Sequence, residues 1–194
     1  MLHPNRIFGR LGNQMFQGAY IYAQMKRGRI PDIYVQDPVY FDDYREDIRL
    51  LYGDKIGHID KVAIHVRRGA NPINPSEPKY CDNTFYVNIL NTDYYQKAMA
   101  MFPNEHFMVF SDDIEWCKQQ EMFKGCSFSE GHDEIQDLNI MASCKGIITA
   151  NSSFSWWAAY LSNAKVVAPS IKNLWYTDKV IRTNVPKTWI QIEC

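Results

Sequence analysis

The chain has 194 residues, 46% of them apolar and 22% charged, with a formal net charge of -1. That length allows one domain or two small lobes with a real core. The near-zero charge excludes a global field that would draw nucleic acid or an anionic membrane, so any anion site must be local. The five cysteines (Cys81, Cys117, Cys126, Cys144, Cys194) show no C-x-x-C spacing. Free thiols in a reducing compartment are therefore expected, rather than a disulfide framework or a zinc site. The first residues, MLHPNRIFGRLGNQ, carry no signal-peptide apolar region, and no apolar run approaches bilayer-spanning length. A cytoplasmic location, with no membrane span, is the expectation.

In chain order, Arg6 to Phe8 reads as a strand. Leu11, Met15, Phe16, Ala19, Tyr22 and Ala23, spaced three and four apart, predict a helix. Ile33 to Val35 is a second short strand, and Asp42 to Leu51 a helix. KVAIHV, ending at Val66, is a buried strand. Thr92 is placed to cap a helix from Asp93 to Phe102, stopped by Pro103. HFMVF is a strand, and Ser111-Asp112-Asp113 caps the helix IEWCKQQEMF. Asp133 to Ser143 is a helix, GIITA a strand, and SFSWWAAYL a helix begun by Asn151-Ser152-Ser153. KVVAP is read as the last strand. This alternation predicts an α/β protein with a parallel sheet covered on both faces. Gly69 to Asn91 is a long irregular loop, the kind more often functional than idle.

In open α/β sheets, ligands bind beyond the carboxyl ends of the strands. Four such ends carry polar groups here: Gly9 to Gln14, His65 to Gly69, Ser111 to Asp113, and Asn151 to Ser153. Each alone has a bland reading, as a helix cap or a solvated edge. Their recurrence at one edge of one sheet points to a ligand. A helix N-terminus offers N–H groups and a positive dipole end that suit phosphate. An arginine adds a planar fork. Residues two apart on a strand share a face, so His65 and Arg67 project together while Arg68 points away. Arg67 is thus the expected ligand-facing arginine. No acidic pair has the spacing of a Mg²⁺ clamp. The chemistry alone predicts a diphosphate-containing ligand, a nucleotide above all, held without metal.

Together these segments resemble the α-1,2-fucosyltransferase family, glycosyltransferase family 11. GRLGNQMFQGAY resembles its N-terminal signature, and VAIHVRRGA its H-x-R-R-G-D segment. FMVFSDDIEWCK and DLNIMASCKGIITANSSFSWWAAYL resemble two further signatures, and KVVAPSIKNLW and VPKTWIQI its C-terminal end. The resemblance implies a GT-B-like fold, with a Rossmann-type parallel sheet in a C-terminal lobe (61–194) and a reduced N-terminal lobe (1–60). It implies metal-independent, inverting transfer of fucose from GDP-fucose to the 2-hydroxyl of a galactose-containing acceptor. By that likeness His65 and Asp137 face the guanine, Arg67 the β-phosphate, and Ser153 with its neighbours Asn151 and Ser152 the phosphates. Gly12, Asn13 and Gln14 close over the donor, and Asp112 stands in the same strand-end set.

Two departures matter. The family's Asp after H-x-R-R-G is Ala70 here, and only about fifty residues separate the Gly12 motif from His65. With Ala70 in place, the candidates for a general base are Glu77 and Asp82 in the long loop, or Asp42 and Asp43 before it. Ala70 keeps open a GDP-sugar-binding relative with little turnover. A transferase using another GDP-sugar is also open.

Overall fold

The computed structural model describes residues 10–28, 37–53, 55–69, 88–170 and 185–194. The strands expected at Arg6–Phe8 and Ile33–Val35, Ala70, and the candidates Glu77 and Asp82 lie outside these residues.

Among the described residues six strands form one parallel sheet: β1 (Ile59–Val66), β2 (Phe107–Ser111), β3 (Ser127–Phe128), β4 (Cys144–Ile148), β5 (Lys165–Pro169) and β6 (Ile190–Ile192). Their order across the sheet is β3-β2-β1-β4-β5-β6. The chain winds outward from β1 in one direction, then starts again at β4 and winds the other way. The point where the winding reverses lies between β1 and β4, where this topology opens a crevice.

Among the described residues six α-helices accompany the sheet: α1 (Leu11–Lys26), α2 (Arg45–Tyr52), α3 (Tyr94–Ala100), α4 (Ile114–Lys118), α5 (Glu134–Ser143) and α6 (Ser153–Leu161). Alternation along β1 shows how both faces are filled. Val62, Ile64 and Val66 pack with Tyr94, Tyr95 and Ala98 of α3. Ala63 joins Phe16 and Ala19 of α1, Leu138 and Met141 of α5, and Trp156 and Trp157 of α6. His65 follows Ala63 on that second face, and Arg67 follows His65.

Several expectations are corrected. KVVAP is not the last strand, because β6 adds an edge beyond it, and β3 forms the opposite edge. At three and two residues, these strands are too short to show alternation. The helix after Asp113 stops at Lys118 and gives way to a 3-10 turn at Glu121–Phe123. Cys117 and Phe123 are both buried in the same cluster. On one continuous helix, residues six apart would lie about 120° from each other, so the break turns both inward. Asp42–Tyr44 is a 3-10 turn that leads into α2. Asp93, not Thr92, is the residue that flanks α3, although the Thr92 hydroxyl accepts a hydrogen bond from the Tyr94 amide at 3.2 Å. Cys117, Cys126, Cys144 and Cys194 are free thiols. Among the described residues no helix is long and apolar enough to cross a membrane.

Candidate active site

A cavity of about 220 Å³ opens at the carboxyl ends of β1, β2 and β4, where the winding of the sheet reverses. Its walls come from separate parts of the chain. Arg10, Gly12 and Asn13 supply one side, and His65 and Arg67 another. Ser111 and Asp112 follow β2, Glu134 and Asp137 stand on α5, and Asn151, Ser152 and Ser153 lead into α6. Gln14 is exposed and does not line the cavity.

Two helix N-termini meet in this wall. A Cβ on Gly12 would lie 2.6–2.8 Å from backbone atoms of Ser153 and Phe154, so only glycine lets α1 start this close to α6. The Ser153 hydroxyl donates to Asn13 Oδ1 at 2.7 Å and ties the two starts together. The Ser152 hydroxyl caps α6 by accepting from the Phe154 amide. First-turn N–H groups have no intrahelical acceptor, and the dipoles place partial positive charge at both starts. Anions are stabilised at such a place.

Arg67 brings a full positive charge to the same wall. Its Nη1 lies 2.5 Å from Asp112 Oδ2, and the two side chains are only 13% and 14% exposed. The same carboxylate accepts the backbone N–H groups of Arg68 and Gly69, each at 2.9 Å. Gly69 has φ +71, a left-handed conformation that glycine adopts without strain. Asp112 therefore folds the chain after β1 around one carboxylate, and its oxygens are occupied by protein donors. It holds Arg67 and the loop while lining the same cavity. Arg68 points elsewhere, as its strand parity requires. Its Nε binds Asp113 at 2.9 Å, and its guanidinium lies 4.1 Å from the Trp116 ring centre. Asp113 also caps α4 by accepting from the Trp116 amide.

His65 is buried beside Phe154, their ring centres 5.4 Å apart. Burial pushes its pKa down to about 3; Asp112 pulls upward and Arg67 adds to the fall. The ring is thus neutral at ordinary pH, with one donor and one acceptor. Its Nδ1 is buried with no hydrogen-bond partner among the described residues. A buried polar atom left unpaired costs free energy unless a ligand or water meets it. Asp137 faces the cavity one turn into α5. Burial raises its carboxyl, while the Ser129 hydroxyl, donating to Oδ1 at 2.6 Å, and His132 oppose that rise.

Residues 32–193 match the family described as Glycosyl transferase family 11. The chain belongs to glycosyl transferase family 11. The match takes in every site element except α1. An alpha-1,2-colitosyltransferase of Escherichia coli is 31% identical over 180 residues, covering 81% of this chain and 60% of that protein. The O-antigen biosynthesis glycosyltransferase WbnK of Escherichia coli is 30% identical, covering 75% and 56%. A galactoside alpha-(1,2)-fucosyltransferase 1 of Rattus norvegicus is 29% identical, covering 65% and 36%. The chain thus spans about 60% or less of the length of these relatives. No solved structure gives a significant match. The parallel sheet is consistent with a GT-B-like, Rossmann-type glycosyltransferase fold.

Within this family 11 chain, the expected donor-side residues Gly12, Asn13, His65, Arg67, Asp112, Asp137, Asn151, Ser152 and Ser153 share one cavity. The base candidates Asp42 and Asp43 do not reach it. Asp42 accepts the Tyr160 hydroxyl at 2.8 Å, and Asp43 pairs with Arg27 at 2.8 Å. Sequence reasoning missed Glu134 and the apolar lining residues Phe110 and Phe154, and it took in Arg10 only as part of the Gly9 to Gln14 strand end. Arg10 immediately precedes α1, and Glu134 stands three residues before Asp137, hence on its face of α5. Those positions were the available signals. Among the described residues no group of three or more His, Cys, Asp or Glu side chains is arranged to hold a metal ion.

Proposed function

We propose that the cavity binds GDP-fucose and that the protein transfers fucose, with inversion, to the 2-hydroxyl of a galactose-containing acceptor. One observation carries the donor part of this reading: the starts of α1 and α6, touching at Gly12 and Ser153, share a wall with Arg67. That combination suits a pyrophosphate. Two dipole ends and a guanidinium would stabilise the charge that grows as the C1–O bond to the β-phosphate breaks, commonly the largest catalytic term. No metal is needed for that neutralisation. The acceptor oxygen forms the new bond at C1, and its proton passes to a carboxylate, for which Glu77 and Asp82 are the proposed candidates. His65 and Asp137 take the guanine end.

Calorimetry with GDP, and GDP release assayed with galactosides in the presence of a chelator, test the proposal. Binding and turnover should both survive chelation. Arg67→Ala should lower GDP affinity at least about tenfold, the loss of one charge-assisted contact. Unchanged affinity in that variant would reject the cradle. GDP bound tightly with no release by any galactoside would identify a binding relative with little turnover, the outcome Ala70 keeps open.

A second reading concerns the sugar alone. The colitosyltransferase relative favours a donor other than fucose. Competition between GDP-colitose and GDP-fucose for turnover decides between them.

A further inference from the structure

Pairing between β1 and β4 ends at Ile64↔Ile148, although both segments run on to the cavity. In a parallel ladder alternate residues of a strand point their N–H and C=O groups at the same neighbour. The Val62 amide donates to the His106 carbonyl at 2.8 Å and so faces the β2 side, which turns Ala63 and His65 toward β4. One more step of the β1–β4 register would have the Ala150 amide donate to the His65 carbonyl. Among the described residues that bond is absent, and each half has another partner. The Tyr95 hydroxyl donates to the His65 carbonyl at 2.9 Å, and the Ala150 amide donates to the Ser155 hydroxyl oxygen at 3.2 Å. All four residues are buried, where backbone polar groups must be paired.

The other side of β4 ends in a related way. The Thr149 amide donates to the Val167 carbonyl at 2.9 Å, and the next rung of that ladder would need an amide at Pro169 to donate to the Thr149 carbonyl. Proline has no N–H. The Tyr94 hydroxyl supplies the donor instead, at 2.7 Å. Tyr94 and Tyr95 begin α3 and pack on the face of the sheet opposite α1, α5 and α6. Neither tyrosine lines the cavity.

We propose that Tyr95 and Ser155 are positioning residues whose hydroxyls occupy the two halves of the next β1–β4 rung and so keep the strand ends apart at the crevice. The consequence for nucleotide binding rests on the GDP reading above. A completed rung holds neighbouring strands about 4.8 Å apart. The two halves of this one belong to His65, which lines the cavity, and to Ala150, whose neighbour Asn151 lines it too. Closing the rung would draw Asn151 and the start of α6 toward His65 and narrow the cavity between them. The open crevice of the sheet is thus held by two hydroxyls, one from each face.

A double-mutant cycle in the full chain tests this, with thermal unfolding and GDP calorimetry on every variant. Tyr95→Phe leaves the His65 carbonyl unpaired and Ser155→Ala leaves the Ala150 amide unpaired, so each should lower Tm by about 3–8 °C. Removing both hydroxyls frees the two halves to bond each other. The double variant should therefore return to within about 2 °C of the wild-type Tm, while its GDP affinity falls at least about tenfold. Residues that only stabilise the fold would not separate the two readouts in this way. Tyr94→Phe combined with Ser155→Ala is the control. Pro169 cannot replace the lost donor, so those two losses should add. Additive loss in the Tyr95→Phe, Ser155→Ala double variant, or its failure to fold, overturns the proposal. Recovered Tm with wild-type GDP affinity overturns it as well. If wild type binds no GDP, the proposed function fails, and the Tm cycle still decides whether the two hydroxyls hold the strands apart.

Discussion

Arg67 Nη1 and Asp112 Oδ2 sit 2.5 Å apart at the ends of neighbouring strands β1 and β2. The register Val66↔Ser111 makes this pairing unavoidable: the residue after each partner stands beside the other. Asp112 serves three donors at once, so it is a structural clamp with a functional consequence, the fixed position of Arg67.

Removing that clamp should cost stability first. Asp112→Ala leaves two backbone N–H groups and a largely withdrawn guanidinium without their acceptor. The expected loss is about 2–4 kcal/mol, a fall in Tm on the order of 5–10 °C for a chain of this size. Asp112→Asn retains a carbonyl acceptor and should lose less. Thermal unfolding of both variants checks this. Equal Tm for wild type and Asp112→Ala would mean the clamp holds nothing.

Gly12→Ala should damage the nucleotide site more than its single methyl suggests. The new Cβ would sit 2.6–2.8 Å from backbone of Ser153 and Phe154, and backbone cannot rotate aside. Either α1 or α6 must move, at a typical cost of about 1–3 kcal/mol for overpacking. The two helix starts would separate, and the Asn13–Ser153 bond with them. Nucleotide affinity measured on the folded variant should drop at least about tenfold. An unchanged Kd would show that the contact between α1 and α6 does not build the anion site.

His65 sets a pH dependence whose sign is fixed by its direction of shift. The ordinary imidazole pKa is 6.5, and burial holds this one at about 3. Between those values the unfolded chain takes up a proton that the folded chain refuses. The contribution to stability is therefore complete above pH 6.5 and is lost as pH falls toward 3. Asp137 acts oppositely. Its raised carboxyl keeps a proton longer in the folded state, so its contribution declines as pH rises above the ordinary carboxyl value of 3.8. Urea midpoints at pH 7.5, 5.5 and 4.5 should fall with acidity in wild type, and the fall should be shallower in His65→Gln. Parallel curves would contradict a buried neutral imidazole.

The legible parts of the fold were those with a local signature. β1, β4 and β5 are apolar runs, α6 announces itself with Ser152, and α5 with Asp133 and Gln136. Strand parity alone separated Arg67 from Arg68. What escaped depends on partners distant in sequence. A Ser-Asp-Asp before a helix looks the same whether or not Asp112 clamps a neighbouring strand; only the β1–β2 register shows the clamp. β3 and β6 have two and three residues and exist because β2 and β5 offer edges to pair with. Asp42 and Asp43 read as solvent-side carboxylates available for chemistry, but Tyr160 and Arg27, from other elements, claim them.

Two roles are open to the tryptophan pair of the Ser-Phe-Ser-Trp-Trp string, lining a sugar site or filling a core. Trp156 is fully buried and absent from the cavity wall. It stacks on Tyr160 at 4.8 Å, meets Phe16 of α1 at 4.5 Å, and approaches Trp189, just before β6, at 5.8 Å. One side chain thus seats α1 on α6 and reaches the C-terminal edge strand. Trp156→Ala should cost about 3–5 kcal/mol, as large aromatic truncations in cores do. Trp156→Phe should recover part of this, since an aromatic ring remains between Phe16 and Tyr160. Denaturant unfolding followed beside GDP calorimetry distinguishes the roles. In the core role, nucleotide affinity falls only together with stability, because the seat of α1 is lost. A Trp156→Ala protein with wild-type stability and no GDP binding would instead put the indole against the ligand.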